Sequence, residues 1–485
     1  MLARLVHRGP DDEGCVTTDD AWLGHRRLSI VDVEGGRQPL GKNSGDLWLV
    51  GNGEVYNHET VSGQLTHASF QTSSDNEVAL HLVDHYGPDA LNQLNGMFAF
   101  VLAGEDGRFL AARDPVGIKP LYWAKRDGQV RFASEMAAFD RDWQRYVEVF
   151  PPGHYWTPTR GMVQFASAVP ALGWAPDAHP GTPEEVRRRT REVLIRSVER
   201  QMMGDVPVGV FLSGGLDSSL VAAIAQRYLA DRDQRLKTFA VGTEGSPDLL
   251  AARAVAEYLG TEHHESVYTA EEATAAVPEV VQAIESFDPS LVRSAVPNHM
   301  LARFTSQHVK VVLTGEGADE LFAGYEYLCE FKDAESLQAE LIRSVEGLHN
   351  LNLQRCDRVT MAHGLEARVP FLDREVIEHA LRLPAEWKLA GRGEPEKKLL
   401  REAFQGWLPQ EFLWRGKSQF GDGSGAADVL TDWITETVSE EEFEEERFAV
   451  DPPLRTREEL AYFRIFHEHL AGVRPELTLG RFATA

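Results

Sequence analysis

Between residues 207 and 313, short apolar runs alternate with helix-patterned segments, and this alternation constrains the fold more than any other feature of the chain. Pro207 to Leu212, Lys237 to Val241, His264 to Tyr268 and Val309 to Leu313 each read as a strand. Ser218 to Leu229 and Leu249 to Leu259 read as helices, the second opening on Ser246-Pro247, and helical sequence follows Tyr268. Strands separated by helices predict a parallel sheet covered on both faces.

The flanking regions read differently. Residues 1 to about 165 are β-rich: Leu47 to Val50 is a strand ending in Gly51-Asn52-Gly53, and Met97 to Leu102 with Phe109 to Ala112 reads as a hairpin around Gly104-Glu105-Asp106-Gly107. One helix is predicted near Asn76 to His85. Pro170, Pro176, Pro180 and Pro183, with Gly173 and Gly181, mark a linker over 166–183. Thr182, Pro183 and Glu185 then open a helix with a capping box. After Leu321 the sequence reads as mainly helical, and the glutamate run from Glu440 to Glu446 reads as a solvated face or loop. With 485 residues the chain divides into about two or three domains: 1–165, a linker over 166–183, and 184–485.

Composition narrows the partners. The chain has 75 acidic and 49 basic residues, a net charge of −26. That argues against nucleic acid or an anionic membrane as the main partner, since both need a basic face. A local pocket for small anions stays open. Cys15, Cys329 and Cys356 show no CxxC spacing, which excludes a zinc ribbon or thioredoxin-type pair and points to a reducing compartment. No apolar run nears the roughly 18 residues of a membrane helix, and Met1 to Arg8 has no signal-peptide core. The expected location is the cytoplasm.

The strongest local signal is Val208-Gly209-Val210-Phe211-Leu212-Ser213-Gly214-Gly215-Leu216-Asp217-Ser218-Ser219. An apolar strand runs into a glycine turn, and a helix then starts with hydroxyl residues. Glycines let the backbone approach a phosphate, and amides at a helix N-terminus bind anions. Asp217 is placed where a carboxylate can hold Mg²⁺ on phosphates. The run is not the GxxxxGK[ST] loop, so γ-phosphate transfer is not indicated. A second turn, Thr314-Gly315-Glu316-Gly317-Ala318-Asp319-Glu320, follows the last strand. Ligands of open parallel sheets sit beyond the carboxyl ends of strands, so both turns are expected to face one crevice.

The Ser213 run resembles the pyrophosphate loop of ATP pyrophosphatases. Nearly the whole chain is similar to glutamine-dependent asparagine synthetases. The likeness is carried by His7-Arg8-Gly9-Pro10-Asp11, His25-Arg26-Arg27-Leu28-Ser29-Ile30-Val31-Asp32, Asn52-Gly53-Glu54-Val55-Tyr56-Asn57-His58, the segment from Arg113 to Tyr122, Gly315 to Glu320, and Glu366 to Asp373. The resemblance implies an Ntn-hydrolase-like αββα sandwich, incomplete at its start. A parallel-sheet, adenine-nucleotide α-hydrolase-like domain with a helical C-terminal region would follow it. It implies ATP as substrate with Mg²⁺, and a ligase that makes asparagine, AMP and pyrophosphate from aspartate and ammonia, free or derived from glutamine, through β-aspartyl-AMP.

By the same likeness, Leu212, Ser213, Gly214, Gly215, Asp217, Ser218, Val241, Thr314, Gly315 and Lys397 would bind ATP or pyrophosphate, with Asp217 and Asp319 at the metal. Glu316 would be the base around the acyl-adenylate step, and Lys417 would stabilise developing negative charge. Gly421-Asp422-Gly423-Ser424-Gly425, after Lys417, departs from the family's Ser-Asp-Gly-Val-Gly at two places. Arg293 is a candidate for the substrate carboxylate. In the other half, Arg27 would hold the glutamine α-carboxylate bidentately and Asp75 its amino group. Asn52 and Gly53 would form an oxyanion hole, with Leu28, Ser29, Ile30, Val31 and Glu54 around the ligand. Taken alone, Arg27 and Asp75 could be surface charges and Asn52-Gly53 a hairpin turn.

Family members carry a cysteine directly after the initiator Met, whose thiolate attacks the amide while its α-amine acts as base. This chain opens Met1-Leu2, and Cys15 has no free α-amine. The remaining glutaminase residues are present, so the expectation is an N-terminally truncated member with a start placed too far downstream. The chain as written is then expected to use free ammonia only. Three other readings are a relative acting on another carboxylate (β-lactam-synthetase-like), a non-catalytic nucleotide or glutamine sensor, and a tRNA-thiolating pyrophosphatase. The last lacks paired cysteines and a basic surface. A homodimer is compatible with the likeness, though the sequence fixes no oligomeric state.

Overall fold

The computed structural model describes residues 1–42, 44–169, 181–389, 395–416, 430, 433–434 and 436–482. Among the described residues the N-terminal half contains eleven strands: β1 (Asp12–Thr17), β2 (Trp22–Arg27), β3 (Leu40–Gly41), β4 (Leu47–Val55), β5 (Gly96–Gly104), β6 (Phe109–Arg113), β7 (Tyr122–Arg126), β8 (Gln129–Ala133), β9 (Val147–Val149), β10 (His154–Thr157) and β11 (Gly161–Gln164). Six of them form a sheet in the order β11-β10-β6-β5-β4-β3.

The β5–β6 hairpin forms as the alternating pattern predicts, from Ala99 opposite Arg113 to Ala103 opposite Phe109. The strand at Leu47 differs from expectation. It does not stop at Val50 but continues through Gly51-Asn52-Gly53 to Val55, paired with β5 from Leu47↔Gly104 to Val55↔Gly96. Two glycines in a strand lower its intrinsic preference, but the apolar partners Phe98 and Phe100 hold the ladder together.

Helices α1 (His58–Gln64) and α2 (Glu77–Tyr86) cover one face of this sheet, with Val78, Ala79, Leu80 and Leu82 packed among Leu49, Phe98, Phe100 and Leu102. The opposite face carries Val101 and Phe109, which meet Leu23 of the β1–β2 hairpin and Trp123 and Phe132 of the β8-β7-β9 sheet. Tyr122, Ala124, Ala133 and Val147 of that second sheet belong to the same apolar core as the C-terminal half. Helix, sheet and sheet are therefore stacked, and the next layer comes from the rest of the chain.

The linker expected at 166–183 falls largely on 170–180, outside the described residues. Beyond it, Thr182 caps helix α3 (Pro183–Gln201) with the capping box the sequence predicts: the Glu185 N–H donates to Thr182 Oγ1 at 3.3 Å, and the Thr182 N–H donates to Glu185 Oε2 at 2.8 Å.

A five-stranded sheet follows in the order β14-β13-β12-β15-β16, and every neighbouring pair is parallel. Its strands are β12 (Val208–Phe211), β13 (Lys237–Gly242), β14 (Glu262–Val267), β15 (Val311–Leu313) and β16 (Glu366–Arg368). The last has no apolar run to announce it. Its two charged residues are buried only because they pair, Arg368 Nε with Glu366 Oε1 at 3.0 Å.

The helices used below are α4 (Leu216–Ala230), α5 (Pro247–Leu259), α6 (Ala270–Ile284), α7 (Pro289–Thr305), α8 (Ala318–Phe322), α9 (Ala334–Gly347), α10 (Asn352–Met361), α11 (Arg374–Arg382), α12 (Lys398–Ala403), α13 (Glu440–Glu446) and α14 (Arg457–Leu470). The glutamate run is α13, with Ser439 and Glu442 as capping box and Phe443 as its buried residue. Among the described residues no helix is long and apolar enough to cross a membrane. From β12 the chain reaches β13 on one side and β15 on the other, so strand order reverses there and a crevice opens at the carboxyl ends.

Candidate active site

That crevice is a cavity of about 570 Å³, within the usual size of a small-molecule site. The turn after β12 contributes Leu212, Ser213 and Gly215, and the start of α4 contributes Asp217 and Ser218. Val241 comes from β13, and Thr314, Gly315, Glu316 and Asp319 come from the turn after β15. The two turns expected to share one crevice do so.

The Ser213 turn is tied to itself. The Ser213 N–H and the Gly215 N–H donate to Ser218 Oγ and Ser213 Oγ at 3.2 and 3.3 Å, and the two serine hydroxyls lie 3.1 Å apart. Gly214 does not line the cavity. Its φ of +72° and a Cβ position 2.5 Å from Ala251 make it the residue that lets the turn close against α5.

Lys397 Nζ stands between the two acids named for a metal, 2.5 Å from Asp217 Oδ2 and 2.8 Å from Asp319 Oδ1. Burial opposes a charged amine, but Asp217 and Asp319 raise its ammonium above the ordinary lysine value. One nitrogen reaches both carboxylates, so a metal held by the two would take the place this ammonium fills. Among the described residues no group of three or more His, Cys, Asp or Glu gathers to hold a metal. Two carboxylates suit Mg²⁺, which takes most of its other ligands from water and substrate phosphates.

Glu316 is ion-paired with Arg355 of α10. Burial raises its carboxyl above the ordinary range against the pull of Arg355. Glu320, in the next turn, is buried and pushed up to about 7 by burial and by Asp319; Tyr325 Oη donates to it at 2.6 Å. Arg293 lines the cavity, but its Nε donates to Glu458 Oε1 at 2.9 Å and its Nη2 is bound to the other oxygen of that carboxylate. Lys417 lies outside the described residues.

Sequence reasoning missed Arg355, Glu320, Asn352 and Arg415 as cavity residues. Arg415 Nη1 donates to the Gly214 carbonyl at 3.1 Å, and its Nη2 lies 3.4 Å from Asp248. Its place two residues before Lys417 was the available signal. Arg355 sits inside a helix with no motif around it.

A second pocket of about 110 Å³ lies in the N-terminal half, lined by Arg27, Leu28, Ile30, Val31, Asn52, Gly53, Glu54 and Asp75 among others. Ser29 does not line it; its N–H donates to Asp11 Oδ2 at 2.8 Å. Arg27 donates to the carbonyls of Val31, Asp32 and Val33 at 3.1, 2.7 and 3.0 Å, and burial pulls its value below that of an ordinary arginine. Asp75 accepts from the Val55 N–H at 2.6 Å and is pushed up to about 6 by burial. Burial raises Glu54 as well, which stands 3.4 Å from Arg368. Asn52 Nδ2 is a buried donor with no partner among the described residues. Gly53 has φ +125°, and a Cβ there would stand 1.9 Å from the Met97 carbonyl oxygen. An unspent amide donor beside a glycine backbone is what an oxyanion site requires. Among the described residues no cysteine lines this pocket; Cys15 is exposed on β1.

Helix α10 reaches both pockets. Arg355, Cys356, Val359 and Thr360 line the large cavity, and Met361, at its end, lines the small one.

Fold and pockets together define a two-part protein of the amidotransferase kind, in which a layered β-rich half is joined to a parallel-sheet α/β half. A model described as glutamine amidotransferase domain matches residues 1–156, and one described as asparagine synthase matches 189–334 and 329–469. The chain belongs to the asparagine synthase family. It is 40% identical over 486 residues to asparagine synthetase [glutamine-hydrolyzing] 2 of Oryza sativa subsp. japonica, covering 96% of this chain and 81% of that protein. Against asparagine synthetase B [glutamine-hydrolyzing] of Escherichia coli (strain K12) the identity is 40% over 486 residues, covering 97% and 87%.

Proposed function

We propose that the chain is a ligase that forms asparagine from aspartate, ATP and ammonia, releasing AMP and pyrophosphate. The observation that carries this reading is the single cavity in which the Ser213 turn, Asp217 with Asp319, and Glu316 meet. We divide the chain at 1–165, 166–183 and 184–485.

The Ser213 turn and the N-terminus of α4 hold the pyrophosphate end of ATP through backbone N–H groups and hydroxyls. Leu212 and Val241 border the nucleotide. Asp217 and Asp319 are the residues that would hold Mg²⁺, which, when bound with ATP, offsets charge on the phosphates. The side-chain carboxylate of aspartate attacks the α-phosphorus, a P–O bond forms, and the bond to pyrophosphate breaks. Ammonia then attacks the acyl carbon and loses a proton, and AMP departs with the oxygen that joined it to the acyl group. Glu316, with its raised carboxyl and Arg355 beside it, is placed to take that proton. The small pocket serves glutamine, with Asp75 on the amino group, Arg27 at the carboxylate end, and Asn52 and Gly53 facing the amide oxygen. Among the described residues no cysteine lines the small pocket to release ammonia from glutamine, so the ammonia used at the large cavity is free ammonia. The three cysteines stand free, which suits a reducing compartment and supports a cytoplasmic location.

Pyrophosphate release from ATP, assayed with ammonium and a panel of carboxylates, tests this. Aspartate is expected to support turnover and to yield asparagine. Turnover with another carboxylate and none with aspartate would assign the chain to a different acceptor.

A further inference from the structure

We infer that Glu458 and Tyr462 of helix α14 are positioning residues of the substrate-carboxylate subsite, acting through Arg293. This rests on the reading that Arg293 receives the carboxylate of aspartate.

Arg293 projects from α7 into the large cavity, beside Ser290 and Ser294. Glu458 does not line that cavity. It lies behind the guanidinium, with its side chain about 10% exposed, and takes up the Nε–Nη2 edge of Arg293. Tyr462 Oη donates to Glu458 Oε1 at 3.0 Å, and Tyr462 is fully buried. One edge of the fork is thereby fixed, and Nη1, with no protein hydrogen bond among the described residues, is left for a ligand. A guanidinium held on one edge loses less rotational freedom when its other edge takes up a carboxylate.

Helix α14 is itself anchored to α7. Asp288, which caps α7, accepts from the Phe482 N–H at 2.9 Å and lies 3.4 Å from Arg455. Arg455 and Arg481 both pair with Glu459, at 3.1 and 2.8 Å, and Arg481 and Phe482 line the cavity. The C-terminal segment is therefore a wall of the subsite.

The experiment measures pyrophosphate release by the full chain with ammonium, varying aspartate and ATP in turn. Glu458→Gln should raise KM for aspartate about tenfold, with kcat and KM for ATP changed less than twofold. Glu458→Asp should restore part of the loss, and Tyr462→Phe should raise KM two- to threefold. Arg293→Lys should raise it at least as much as Glu458→Gln, and the double variant should be no worse than Arg293→Lys alone. If Arg293→Lys raises KM for aspartate and Glu458→Gln leaves it unchanged, Glu458 does not position the arginine. If Arg293→Lys leaves it unchanged, the assignment of Arg293 is wrong. A fall in kcat and a rise in both KM values for Glu458→Gln, with a lowered melting midpoint, would make Glu458 a structural strut and overturn the inference.

Discussion

Arg8 and Asp357 meet at 2.8 Å, both nearly excluded from solvent, and join the N-terminal half to helix α10. Burial works against an ionised carboxylate here, yet Arg8 and Lys119 hold Asp357 below the usual range. The pair belongs to a buried network in which Arg8 and Arg358 share Glu135, Arg358 reaches Glu285, and Lys119 bridges Asp357 and Glu366.

Removing one partner of such a pair leaves an uncompensated buried charge. Asp357→Asn is expected to lower the unfolding free energy by about 3–5 kcal/mol. Asp357→Leu with Arg8→Met should cost less than the two single changes added together. Denaturant unfolding of the parent, Asp357→Asn, Asp357→Leu, Arg8→Met and the double variant measures both effects.

Lys388 gives the pH dependence. It is fully buried, its Nζ has no hydrogen-bond partner among the described residues, and burial pushes it down to about 7 from 10.5. The folded state therefore binds fewer protons than the unfolded state between about pH 7 and 10.5. Stability owed to this site is full above that window and lost as pH falls to 7. Lys388→Met should be more stable than the parent at pH 7 by a few kcal/mol, at about 1.4 kcal/mol for each pH unit separating the two values. The advantage should vanish near pH 10.5. Denaturant midpoints compared at pH 7 and pH 10 check the sign.

Glutamine binding proposed for the small pocket is tested by binding rather than turnover. Asp75→Asn and Asn52→Ala should each weaken glutamine binding about tenfold or more in calorimetry, since each removes a polar group from a buried site. Neither should change ATP binding, because the two pockets share no lining residue.

Arg415 supports the Ser213 turn, proposed to hold phosphate, through the Gly214 carbonyl. Arg415→Ala should weaken ATP binding about tenfold, the scale of one charge-assisted hydrogen bond. Titration with a non-hydrolysable ATP analogue measures it.

Much of this arrangement was legible from local pattern. The Ser213 turn announces itself because strand, glycines and helix start are contiguous, and the Thr182 capping box needs only four adjacent residues. Strand β16 was not legible, since Glu366 and Arg368 become buried only through partners elsewhere in the fold. The apolar pattern of β4 ends before Gly51, and its continuation depends on Phe98 and Phe100 across the ladder. The same holds in the site. Glu316 and Asp217 sit in motifs, whereas Glu458 gains its meaning from Arg293, 165 positions away.

The division of labour between the two turns is open to direct test. Asp217→Asn should abolish ATP binding and pyrophosphate release together. Glu316→Ala should bind ATP nearly as the parent does while losing asparagine formation, and with it multiple-turnover pyrophosphate release with aspartate and ammonium, by about 10² or more. Equal loss of ATP binding in both would make Glu316 a nucleotide or metal ligand.

The central claim is that the side-chain carboxylate of aspartate attacks the α-phosphorus of ATP. Aspartate carrying ¹⁸O in both side-chain carboxylate positions, supplied with ATP, Mg²⁺ and ammonium, follows that oxygen. Mass spectrometry of the products should find one ¹⁸O in AMP and one retained in asparagine. AMP free of label, with asparagine formed, would contradict an acyl-adenylate and with it the roles given to Glu316 and the Ser213 turn.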